Sequence, residues 1–132
     1  MKIYQIRQIS SVLSELSKKK MPVKLGFAVS VNLEELTKWI EKVEKERIEL
    51  CKKYAKKDDK GEPIIHEDRF EIEDLEALTI EINKLMEEEI YLNVRSVPEE
   101  LLETIDTSGR YDALTADEIG AMQFMLEKGG GD

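Results

Sequence analysis

NLEELTKWIEKVEKERIELCKKY, residues Asn32 to Tyr54, decides the fold. Its apolar residues Leu33, Leu36, Ile40, Val43, Leu50 and Tyr54 follow steps of three and four, with one longer gap. That spacing lays them along one stripe of a helix. Val29 extends the stripe backwards, and Arg47 interrupts it. Asn32 is placed to cap the start, and Glu35 stands where a capping-box carboxylate belongs. The stretch reads as a long helix that needs a partner, and it holds no reaction centre.

Working forward, Ala55 to Pro63 reads AKKDDKGEP, which is turn chemistry. Glu67 to Glu89 then resumes helical spacing, with Phe70, Leu75, Leu78, Ile82, Leu85 and Met86 on one side. About ten residues join the two stretches, which favours an antiparallel helical hairpin. Each Leu or Ile buried between them contributes about 1.5–3 kcal/mol. Ile90 to Val97 alternates as a strand does, and a pairing with a strand at Lys2 to Ile6 is expected. Two strands alone are marginal, so they must rest on the helices. Ser96 with Glu99, and Thr115 with Glu118, are candidate capping boxes. A short helix is expected through Leu102, with Thr107-Ser108-Gly109 breaking it.

Working backward, Ile9, Val12, Leu13 and Leu16 mark a short N-terminal helix that Ser10 or Ser11 would cap. Lys18-Lys19-Lys20 complements the dipole at its end. Pro22 then sets a boundary, because Met21 before it is pushed away from helical angles. Over residues 23–31 the local pattern supports two readings. Leu25, Phe27, Val29 and Val31 alternate as in a strand; Pro22 suits the first turn of a helix, and Val29 continues the later stripe.

The expected architecture is mainly α with a small β patch. It comprises a long antiparallel helical hairpin, a short N-terminal helix, two paired strands and a C-terminal helical segment. One domain is expected over residues 1–128, followed by a flexible Gly-rich tail over 129–132.

Composition narrows the function classes. Over 132 residues the apolar content is 41%, enough for a core, while 37% charged and 6% aromatic residues suit long solvated helices. The net charge of −9 disfavours broad binding to a phosphate backbone, so nucleic acid is not the expected partner. The single cysteine, Cys51, cannot form an internal disulfide, which fits a reducing compartment. No stretch approaches the ~20 apolar residues of a membrane span, and the N-terminus lacks a signal-like apolar run.

Each chemically suggestive residue has a plain structural reading. His66 has no Ser or Cys motif beside it, so a surface or capping role is favoured. Cys51 reads as a small, partly buried apolar residue. Asp58, Asp59 and Glu62 lack the alternate spacing of a calcium loop, and Lys57 and Lys60 oppose a cation. Glu87-Glu88-Glu89 reads as a solvated face. The basic cluster Lys52, Lys53, Lys56, Lys57 and Lys60 reads as a stabilised helix C-terminus. Arg47, standing where the stripe wants an apolar side chain, is expected to be buried and paired with Glu44 or a carboxylate of the second helix, fixing register. Trp39 and Phe27 lie off the main stripe and are candidates for a second interface.

Lys20, Pro22 and Lys24, then Asn32, then Glu44 and Arg47, then Lys53, Tyr54, Lys57, Asp58 and Gly61 form an ordered pattern. In that order and spacing the chain, up to about Val97, resembles a family of small proteins of unknown function encoded by tailed bacteriophages and prophages. The resemblance implies a helix over residues 22–32, although Val29-Ser30-Val31 departs from the usual form. It also implies a phage setting among structural or late genes, and it carries no catalytic residues.

The expected function is therefore non-enzymatic. A phage protein would bind other protein chains through helix faces, in virion assembly or as a minor virion component. Phage structural proteins or a second copy would be its partners, in the host cytoplasm or the virion. Asn32, Trp39, Glu44, Arg47, Tyr54, Asp58 and Gly61 are the structural or interface candidates; no catalytic, cofactor or metal residue is expected. The alternative is an acidic inhibitor of a host defence or nucleic-acid enzyme, imitating a phosphate backbone.

Overall fold

The computed structural model describes residues 1–128, and the expected tail at 129–132 lies outside them. The fold is mainly α with small β patches. In order come α1 (Ile3–Leu16), α2 (Val23–Tyr54), β1 (Ile65–His66), β2 (Arg69–Phe70), α3 (Leu75–Glu87), β3 (Val97–Pro98), α4 (Glu100–Ser108), α5 (Ala116–Met122), a 3-10 turn (Gln123–Met125) and β4 (Leu126–Glu127). The chain divides into two compact units, one of Met1–Tyr4 with Ile40–Ile90, the other of Gln5–Trp39 with the chain from Tyr91 onward.

In the first unit, the C-terminal part of α2 and α3 form the helical hairpin. Val43, Cys51 and Ala55 are buried on one arm, Leu78 and Leu85 on the other. The turn between the arms is more ordered than its composition suggests. Ala55 pairs with Ile72 and Lys57 with Pro63, both antiparallel. Beyond them β1 pairs antiparallel with β2, Ile65 opposite Phe70. The two residues between the strands, Glu67 and Asp68, both take positive φ, 49° and 66°, the pattern of a type I′ hairpin. The helix expected from Glu67 therefore begins only at Leu75, where the Asp74 carboxylate caps it by accepting from Ala77 N.

The strand pairing expected between residues 2–6 and 90–97 is reduced to a single antiparallel bridge, Lys2 with Glu89. Ile3 N donates to Glu88 O at 3.0 Å, and Ile90 N to Met1 O at 2.8 Å. From Ile3 onward the chain is already helical, so neither Ser10 nor Ser11 is a cap.

The second unit holds the larger buried core. Ile6, Leu13 and Leu16 of α1 and Leu25, Ala28, Val29 and Leu36 of α2 are buried there. So are Val97, Ile105, Ala121, Met122 and Met125. Residues 23–31 are helix. Leu25 and Val29, four apart, are fully buried, whereas Phe27 is 53% exposed, which a strand with all three on one face forbids. Parallel pairing of β3 with β4 ties Val97–Pro98 to Leu126–Glu127. It occupies the place read as a capping box at Ser96 and Glu99; Glu99 precedes α4 without a side-chain cap. Gly109, at φ 70°, ends α4 at the expected break. Thr115 and Glu118 form the expected capping box, both hydrogen bonds present.

Candidate functional site

The site grows out of Asn32. It is not the cap that its position before Leu33 suggests, because α2 runs through it from Val23. Its side chain is instead 1% exposed inside the helix–core contact. A primary amide offers donors and an acceptor, and a buried one must find partners for both. Asn32 Nδ2 donates to Arg95 O at 2.8 Å, and Arg95 N donates to Asn32 Oδ1 at 2.7 Å. One side chain thus reproduces the two-way pairing of a neighbouring strand. Nδ2 also lies 3.4 Å from Met125 Sδ. One turn on, the Glu35 carboxylate accepts from Asn93 N at 2.8 Å. The segment 91–96, which has no regular secondary structure, is therefore held to α2 by side chains rather than by a sheet.

This clamp places Arg95. Its guanidinium carbon sits 4.8 Å from the centre of the Phe27 ring, a cation–π contact. Around that pair lies a cleft of about 610 Å³ lined by Val23, Lys24, Phe27, Arg95, Ser96 and Val97. Val23 is 89% exposed in the first turn of α2, and Phe27 follows it four residues later, so both lie on one helix face. Exposing two large apolar side chains side by side, with two cations beside them, makes a surface suited to an apolar group flanked by negative charge.

The remaining sequence candidates fall elsewhere. Trp39 is half-buried in the same unit and does not line the cleft. Glu44 and Arg47 belong to the first unit and pair with each other, Arg47 Nη2 to Glu44 Oε1 at 2.6 Å and Nε to Oε2 at 3.1 Å. That pairing raises the already high pKa of Arg47, chiefly through its hydrogen bond to Glu44. Arg47 is not the buried residue expected: its side chain is 41% exposed, and its long stem carries the charge out to solvent. Tyr54, Asp58 and Gly61 are turn architecture. Tyr54 O accepts from Glu73 N, and Asp58 Oδ1 accepts from Lys60 N and Glu62 N. Gly61 takes φ 80°.

The other chemically suggestive groups are engaged structurally. His66 Nε2 lies 3.0 Å from Glu71 Oε2 on an exposed hairpin. Hydrogen bonds from His66 and then Lys56 hold the Glu71 carboxyl below the usual carboxylate range. Lys57 Nζ donates to the carbonyls of Lys52 and Ala55 past the end of α2. Cys51 is buried as a small apolar residue, with Arg47 Nη1 3.8 Å from its sulfur. No group of three or more potential metal ligands comes together among the described residues. No described helix is long and apolar enough to cross a membrane.

Arg95 and Val23 escaped the sequence reading. Arg95 lies 63 residues from Asn32, and its backbone, not its side chain, is what Asn32 holds. The available signal was Asn32 itself, a short polar side chain between Val29 and Leu36 on the buried stripe. No family model matches this chain, and no curated protein or solved structure shows significant similarity to it.

Proposed function

We propose that the chain is a non-enzymatic tailed-phage protein that docks onto another protein through the Val23–Phe27–Arg95 cleft, in virion assembly or as a minor virion component. The observation that carries the docking reading is the exposed Phe27 ring under Arg95, beside Val23 and Lys24. The partner segment is one that presents an apolar side chain next to a carboxylate. The apolar group covers Phe27 and Val23, and the carboxylate meets Lys24 or Arg95. The phage setting rests on the ordered sequence pattern from Lys20 to Gly61.

Photo-cross-linking from position 27 in infected cells tests this. A benzophenone amino acid replaces Phe27, whose exposure leaves the core untouched, and adducts are identified by mass spectrometry. Adducts with a capsid or tail protein, lost when Arg95→Glu is added, are expected. Adducts with a host nuclease or DNA-binding protein would overturn the assembly reading and favour the acidic inhibitor. A lack of any adduct would remove the cleft as a docking site.

A further inference from the structure

A second cleft, on an adjacent face of the same helix start, has different chemistry. It measures about 640 Å³ and is lined by Ser17, Lys19, Lys20, Met21, Gly26, Ser30, Arg110 and Tyr111. No carboxylate lines it, although Asp and Glu outnumber Lys and Arg 29 to 20 in the chain. Two latches bring its walls together. Lys20 N donates to Asp112 Oδ2 at 2.8 Å while Asp112 N donates to Lys20 O at 3.2 Å. Lys19 Nζ donates to Glu118 Oε1 at 2.7 Å and to Ala113 O at 2.8 Å. Residues 90 positions apart thus share one surface because the backbone after α1 is stitched to the segment before α5.

The charges within the cleft are not equivalent. Lys19 is neutralised by Glu118. The Lys20 ammonium and the Arg110 guanidinium have no carboxylate partner among the described residues. Two cations without an ion-pair partner, one of them a planar fork suited to bidentate oxygen pairs, can meet a dianion, with the Asp112 carboxylate at the Lys20 backbone as an opposing charge. Ser30 and Tyr111 line the same space and their hydroxyls can donate to further oxygens, while the Ser17 hydroxyl already donates to Ser14 O at 2.6 Å. The volume falls in the range of small-molecule sites, well above what one phosphate fills, and Met21 and Tyr111 supply apolar surface for an organic group.

We infer that this cleft binds a small phosphate monoester, its dianionic head between Lys20 and Arg110 and its organic part against Met21 and Tyr111. This site is separate from the docking cleft and stands or falls independently of it.

Amide NMR titration of the full chain with phenyl phosphate tests the inference, with inorganic phosphate and benzoate as comparison probes at matched ionic strength. Expected are saturable shifts confined to residues around 17–30 and 110–113. Affinity should be at least about fivefold weaker for benzoate and for inorganic phosphate, and at least about tenfold weaker in the Lys20→Gln/Arg110→Gln double variant, about 1.4 kcal/mol. Both replaced side chains are exposed, so the spectrum elsewhere should superimpose on the parent. Shifts that never saturate, that persist in the double variant, or that benzoate or inorganic phosphate reproduces at equal affinity would overturn it.

Discussion

Asn32→Ala is the sharpest test of how the candidate cleft is held. The substitution deletes two hydrogen bonds of 2.7 and 2.8 Å to the Arg95 backbone. Each contributes about 1 kcal/mol net, and truncating a fully buried side chain adds a packing loss of about 1 kcal/mol. Alanine returns up to about 0.7 kcal/mol through its better helix propensity. The expected net loss is about 2 kcal/mol, a fall in Tm of roughly 6–8 °C for a chain of this size. Urea unfolding followed by circular dichroism measures the total. Hydrogen exchange then assigns it: the Arg95 amide should lose protection, whereas the Asn93 amide, which donates to Glu35, should change less. Asn32→Leu restores volume without restoring partners, so it should recover part of the stability and none of the Arg95 protection. If the Arg95 amide exchanges as in the parent, or if Asn32→Ala costs under about 0.5 kcal/mol, the clamp does not hold the segment and the account of the cleft fails.

Three other perturbations probe separate parts of the chain. Glu67 and Asp68 hold φ values of 49° and 66°, unfavourable for ordinary L residues, so replacing the pair with Asn-Gly should stabilise by about 1 kcal/mol in thermal melts; no gain would mean the turn is not of the I′ kind. Burial pushes the Glu118 carboxyl up, but the Lys19 and Thr115 hydrogen bonds and the Lys19 charge outweigh it and leave the carboxyl below the usual range. A lowered folded pKa gives stability that is present above the unfolded value of about 4.3 and is lost as pH falls through the folded value. Glu118→Gln should therefore cost about 2 kcal/mol at pH 7, with the gap to the parent closing as pH drops below about 4; a gap independent of pH in urea melts would contradict this. Arg47→Met should shift stability by less than about 1 kcal/mol, since its pair with Glu44 is solvent-screened and lies within one helix.

Much of the fold was legible because it follows one-dimensional rules. The stripe through α2, the reversing turn, the Gly109 break and the Thr115–Glu118 box are local patterns, and the chain follows them. The first turns of α2 were ambiguous because Leu25, Phe27, Val29 and Val31 satisfy a two-residue period while Leu25, Val29 and Leu36 satisfy a helical one. Burial decides: Leu25 and Val29 are inside, and Phe27 is out. The hairpin at Ile65–Phe70 was hidden because Phe70 also fits the helical spacing of α3, and the Asp74 cap starts the helix only after it. The 20–110 cleft had no local signal, since its cations come from two segments about 90 residues apart, tied together by hydrogen bonds of Lys19, Lys20, Asp112 and Glu118.

Asn32 and Arg47 show why a polar residue in an apolar stripe needs a second question about its length. Both interrupt the buried face of α2, and one rule applies to both: a polar group taken from water must be paired. Arg47 avoids the condition, because its stem reaches out of the helix contact and its guanidinium finds Glu44 in partly solvated surroundings. Asn32 has one methylene and cannot reach solvent, so its partners must come to it. Those partners are backbone groups of a segment without a regular partner strand, and that segment is thereby fixed against α2 at one register. The clamp sets where the Arg95 backbone lies, and from there its guanidinium reaches the Phe27 ring. The interrupting residue that builds a surface is thus the short one, while the long one holds only a pair within its own helix.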